Sequence, residues 1–98
     1  MREKEIEKFL VNGVRKMGGV AFKFVSPGNA GVPDRLIVMP GGKVYFAELK
    51  TERGMPTVLQ CRQMDELFSL GCDVSLLQGQ EQVRRFLERL DRERGDAV

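Results

Sequence analysis

Gly31-Val32-Pro33-Asp34-Arg35-Leu36-Ile37-Val38-Met39-Pro40-Gly41-Gly42-Lys43-Val44-Tyr45-Phe46-Ala47-Glu48-Leu49-Lys50 is the stretch that decides the fold. Two apolar segments, Asp34 to Met39 and Lys43 to Thr51, flank a Pro40-Gly41-Gly42 turn too short for any crossover. They read as β-strands paired antiparallel. Side chains alternate along a strand, so Glu48 and Lys50 share a face, with Val44 and Phe46 as the apolar start of the same row. A buried row that ends in charge needs partners or a cation. Asp34, at the head of the neighbouring strand, is expected to meet Glu48 and Lys50 at one strand end. Two carboxylates and a lysine gathered there suit a hard divalent cation and the water it activates. That set points to phosphodiester hydrolysis.

Outward from this hairpin, Ile6, Leu10, Val14 and Met17 form a helical stripe within residues 3–17. Glu3, Glu5 and Glu7 crowd its first turns, where carboxylates suit the helix dipole, and Gly18-Gly19 closes it. Val20 to Val25 is β-branched and aromatic enough for a strand, and Ser26 to Gly31 has loop composition. On the other side, Glu52 to Pro56 is a loop and Thr57 a helix cap. The next helix is expected to pack through Cys61, Met64, Leu67, Phe68 and Gly71, followed by a short strand from Cys72 to Leu77. Val83, Phe86, Leu87 and Leu90 mark a final amphipathic helix, and the charged tail 91–98 is expected to fray. The order is αβββαβα. The helix before the last strand is the usual crossover for parallel pairing, so the sheet is predicted to be mixed, four-stranded and flanked by helices.

Ninety-eight residues suffice for a single domain, 1–98, with one core. With 16 basic and 14 acidic side chains the net charge is only +2, so a nucleic-acid partner must be argued from where charges lie. The first residues lack the apolar core of a secretory signal, and no run approaches a membrane span. Cys61 and Cys72 stand apart and the chain has no histidine, which disfavours a zinc site and fits reduced thiols in a cytoplasm. Without histidine, His-based triads and imidazole bases are excluded; proton transfer falls to carboxylate, lysine or water.

Taken singly, each candidate has an ordinary explanation. An Asp after Pro closes turns, Glu-x-Lys suits a solvated strand face, Glu7 suits a helix surface, and Gln60 suits the start of an exposed helix. Together they are more specific. Gly31-Val32-Pro33-Asp34-Arg35, Glu48-Leu49-Lys50 and Gln60, in this strand and helix order, resemble the PD-(D/E)xK nuclease superfamily, and within it the small stand-alone VRR-Nuc domains of phages and bacteria. Gly18-Gly19, Lys23 and Gly71-Cys72-Asp73-Val74 add to the likeness, which runs through about Leu90.

The resemblance implies an α/β restriction-endonuclease-like core and a metal-dependent DNA endonuclease. Asp34, Glu48 and the Leu49 carbonyl would bind Mg²⁺ or Mn²⁺, Lys50 would act at the water, Gln60 would support, and Glu7 would fill the acidic position of the first helix. Helix phase alone does not choose between Glu7 and Glu3. Lys23 and Arg35 are candidates for flanking DNA phosphates; for Lys43 and Arg53 surface solubility is an equal account. The resemblance further implies a homodimer acting on branched DNA such as four-way (Holliday) junctions, in a bacterial or phage-infected cytoplasm. RNA cleavage, sequence-specific restriction and a non-catalytic nucleic-acid-binding or assembly module on the same fold remain alternatives.

Overall fold

The computed structural model describes residues 1–96. Its elements are α1 (Glu3–Lys16), β1 (Val20–Lys23), β2 (Arg35–Val38), β3 (Val44–Lys50), α2 (Val58–Ser69), β4 (Asp73–Gln78) and α3 (Gln80–Asp96). The four strands form one sheet in the order β1-β2-β3-β4. β1–β2 and β2–β3 pair antiparallel and β3–β4 parallel, the mixed sheet expected from the turn and crossover lengths. Boundaries differ from the sequence reading by one or two residues; the β1–β2 ladder still gains a bond from Phe24 N–H to the Asp34 carbonyl, at 2.8 Å.

One face of the sheet carries the core. Ala21, Ile37, Tyr45, Ala47, Leu49 and Leu77 meet the stripes Ile6, Leu10, Val14 of α1 and Val83, Phe86, Leu90 of α3. Burial of each large side chain stabilises the fold by about 1.5–3 kcal/mol. The Tyr45 ring stands edge-on to Phe86, with centroids 6.0 Å apart, and its hydroxyl donates to Glu93 at 2.8 Å. The buried row of β3 is therefore Tyr45, Ala47 and Leu49, not the Val44–Phe46 row: Val44 is 40 % exposed.

The second face is more thinly covered. α2 contacts β4 there and reaches Glu48 of β3. No α2 side chain is buried, and Phe68, expected on the packed side, is 71 % exposed. With no other helix of the described residues on that face, α2 has no second layer to pack into. The tail also differs from expectation. α3 carries it to Asp96, with Glu93 tied to Lys43, Tyr45 and Arg89, and Arg94 paired with Asp91 at 2.8 Å; residues 97–98 lie outside the described part.

Candidate active site

Strand register builds the site. Arg35 pairs with Ala47 and Leu36 with Phe46, so extending the ladder by one residue sets Asp34 across from Glu48 on the same face. Pro33, fully buried, fixes the chain just before Asp34. Gly31, at φ +90°, seats the preceding loop against α2, where a Cβ would stand 3.0 Å from the Leu59 backbone. β3 lies between β2 and β4, which leaves Glu48 only 1 % exposed.

Three side chains converge on that carboxylate. The Gln60 side-chain amide donates to Glu48 Oε2 at 3.0 Å, and the Lys50 ammonium lies 3.6 Å from the same oxygen. Asp34 stands across the ladder from Glu48, while its own Oδ2 accepts the Leu49 backbone N–H at 3.0 Å. Glu48 Oε1 is buried with no hydrogen-bond partner among the described residues. An orphaned carboxylate oxygen is costly, and a cation is the natural group to satisfy it. Burial first, and the neighbouring Asp34 second, push the Glu48 carboxyl up from 4.5 to about 7, with the Lys50 charge offsetting part of the rise.

Gln60 is held by the helix that carries it. Thr57 and Gln60 form a reciprocal cap: Gln60 N–H donates to Thr57 Oγ1 at 3.1 Å, and Thr57 N–H donates to Gln60 Oε1 at 2.8 Å. With its carbonyl end committed to the cap, the amide's NH₂ end points at Glu48. The Thr-x-x-Gln spacing is a sequence signal for this arrangement, although the sequence reading used Thr57 only as a cap. Gln78, the register partner of Lys50, was not anticipated at all; its amide donates to the Gly54 carbonyl at 2.8 Å and pins the connection between β3 and α2.

The structure thus gathers Asp34, Glu48, Leu49, Lys50 and Gln60. Glu7 is not in that group. It pairs at 3.4 Å with Arg35, which lies on the α1 and α3 face of the sheet and also donates to the Ala21 carbonyl. Arg35 is mostly buried and its Nε has no partner among the described residues, so it faces the protein rather than open solvent. Lys23 is exposed at the end of β1, beside Arg35 in register. Lys43 pairs with Glu93 at 2.6 Å, at the opposite end of β3 and about 23 Å from Lys50 by strand rise. Glu3 is exposed, as is Arg53. No cluster of three or more His, Cys, Asp or Glu side chains occurs among the described residues. A cation at Glu48 would rest on two carboxylates, a backbone oxygen and solvent, an all-oxygen set that fits Mg²⁺ or Mn²⁺.

The sequence and the fold have counterparts among known proteins. A protein of Acyrthosiphon pisum secondary endosymbiont phage 1, "Putative nuclease p44", is 52 % identical over 81 residues, covering 83 % of this chain and 87 % of the relative. A solved structure described as a VRR_NUC domain superposes with a TM-score of 0.83 at 28 % identity, over 88 % of this chain and 94 % of that one. The chain belongs to the VRR-Nuc family. A second solved VRR_NUC domain protein, at 18 % identity and TM-score 0.68 over 92 % of this chain and 88 % of that one, shares the fold. No protein-family model matches the chain. The αβββαβα order with its mixed four-stranded sheet is that of the VRR-Nuc fold, a nuclease architecture of PD-(D/E)xK type. No helix among the described residues of this VRR-Nuc domain is long and apolar enough to cross a membrane.

Proposed function

We propose that this VRR-Nuc domain is a Mg²⁺- or Mn²⁺-dependent endodeoxyribonuclease that hydrolyses phosphodiester bonds at the Asp34–Glu48–Lys50 site. The observation that carries the reading is the buried, unpartnered Oε1 of Glu48, set beside a second carboxylate at the end of β3. Asp34, Glu48 and the Leu49 carbonyl hold the cation. When bound, a divalent cation supplies Lewis acidity, lowering the pKa of water and offsetting charge on the phosphate. Lys50 places a positive charge next to the attacked phosphate, where it orients the water and counters charge that grows in the transition state. Gln60, fixed by the Thr57 cap, holds Glu48 in place and keeps its free oxygen turned to the site.

The substrate class is branched DNA, cut by a homodimer in the cytoplasm of a bacterial or phage-infected cell. Two sites related by a two-fold axis match the paired cuts a symmetric four-way junction requires. The thinly covered sheet face supports a second copy: Val20, Val38 and Val44 line up across three strands, with Phe22, Leu36 and Phe46 in the next row. Phe22 is 55 % exposed, and a contiguous apolar patch of this kind marks a protein contact. One assay tests the activity and its substrate class. Duplex, single-stranded, flap and four-way DNA, with RNA alongside, are offered with Mg²⁺ to the wild type and to folded Glu48→Gln. Metal-dependent cleavage led by the four-way junction, and lost in the variant, is expected. Binding without cleavage would make the domain a non-catalytic module, and equal cutting of linear duplex would remove the branched-DNA assignment.

A further inference from the structure

α3 sorts its charges into two stripes. Glu81, Arg84, Glu88 and Asp91 recur at three- and four-residue spacing, and Arg84 pairs with both Glu81 and Glu88. One residue further round, at the same spacing, stand Gln82, Arg85, Arg89 and Arg92. The second stripe overlooks β4, the edge strand of the sheet, and encloses with it a cleft of about 360 Å³. Ser75, Leu76, Gln82, Arg85, Arg89 and Arg92 line it, and no acidic side chain does among the described residues. Arg89 is held rigid by Asp73, at 2.8 and 2.9 Å, and by Glu93. Arg85, 74 % exposed, has one loose contact with Glu81 at 3.3 Å, and Arg92 is exposed.

We infer that this cleft is a second nucleic-acid contact, holding the phosphate backbone of a duplex arm that flanks the cut site. The inference rests on the nuclease reading above and adds a surface to it. Position favours it. Leu76 lies beside Glu48 in register, and Gln82 accepts the backbone N–H of Gln78, itself the register partner of Lys50, at 2.7 Å. The stripe therefore starts one strand away from the proposed cut site, on the α3 face of the sheet rather than the α2 face, so the arm it holds passes round the β4 edge. Chemistry favours it as well. Guanidinium groups present forked donors that match phosphate oxygens, with the Ser75 hydroxyl and the Gln82 amide beside them. From Arg85 to Arg92 the helix rises about 10 Å, roughly three nucleotides at 3.4 Å per step along one strand. Leu76, Leu77 and Phe86 also line the cleft, but three arginines with no lining carboxylate among the described residues favour a phosphate backbone over a protein partner.

The test measures binding of a long-armed duplex by fluorescence anisotropy between 50 and 200 mM salt, in the Glu48→Gln background so that nothing is cut. Each lost phosphate contact on duplex DNA removes about 0.9 from the slope of log affinity against log salt. Arg85→Gln with Arg92→Gln is expected to lower the slope by about 2. Arg84→Gln with Arg94→Gln removes the same charge from the opposite flank and should change it by less than about 0.5. Arg92→Glu alone, at an exposed position, gives the same direction as the first pair. Equal slopes for the two double variants would overturn the cleft assignment while leaving the nuclease reading intact. So would an unchanged slope accompanied by altered sedimentation, which would assign the stripe to a protein contact. A wild type that neither binds nor cuts DNA would overturn both.

Discussion

Glu48→Gln is expected to stabilise the metal-free protein at alkaline pH and to do little at pH 4.5. Glu48 is buried, and its carboxyl is pushed from 4.5 to about 7. With the folded value raised above the unfolded one, the native state binds more protons between those limits, so stability is full below about pH 4.5 and falls as pH rises through 7. At roughly 1.4 kcal/mol per pH unit, the ionised carboxylate costs about 3 kcal/mol above pH 8, a large share of a small domain's roughly 5–15 kcal/mol. Glutamine keeps the shape and cannot ionise, so it escapes that cost. Urea unfolding in EDTA at pH 4.5 and pH 8.5 reads the effect as the difference between variant and wild type, which cancels other titrating groups. The difference should grow by about 3 kcal/mol in favour of the variant. A difference that stays flat to within about 0.5 kcal/mol would refute the reasoning, because the buried carboxylate would then carry no ionisation penalty. Mn²⁺ at pH 8.5 should reverse the order, by stabilising the wild type far more than the variant.

Other substitutions separate the roles of the neighbours. Lys50→Ala should fold normally and lose about 10²-fold or more in cleavage rate, measured in single turnover. Gln60→Ala is expected to cost about 10–100-fold in metal affinity or rate by freeing Glu48 Oε2, read by calorimetric Mn²⁺ titration. Thr57→Ala should lower stability by about 1 kcal/mol through the lost cap, and also weaken Mn²⁺ binding, because the cap aims the Gln60 amide. Glu7→Ala should destabilise by about 1–3 kcal/mol, since it strips a mostly buried Arg35 of its carboxylate. A loss of cleavage out of proportion to that loss of stability would return Glu7 to the catalytic group.

Most of the architecture was legible because turns and periodicity state it directly. Pro40-Gly41-Gly42 can only join antiparallel neighbours, and the helix between β3 and β4 is long enough to cross over. Parity put Glu48 and Lys50 on one face and the tight hairpin put Asp34 across from them, for register then does the assembling. Parity does not say which face is covered. The α2 side is sparsely packed, so the apolar residues Val44 and Phe68 lie exposed where the sequence suggested burial, and Glu48 is buried by β2, β4 and Gln60 instead. Helix phase could not tell that Glu7 would turn to Arg35, because the two meet across 28 residues. The reach of α3 to Asp96 depends on Glu93 meeting Lys43 and Tyr45 of a distant strand, a tertiary contact that charge composition hides.

The measurement nearest the heart of this account is anomalous diffraction from crystals grown with manganese. A peak lying between the Asp34 and Glu48 carboxylates, with Glu48 Oε1 among its ligands, is the predicted result. Manganese absent from that position at saturating concentration, with Glu48 bound only to Gln60 and Lys50, would contradict it.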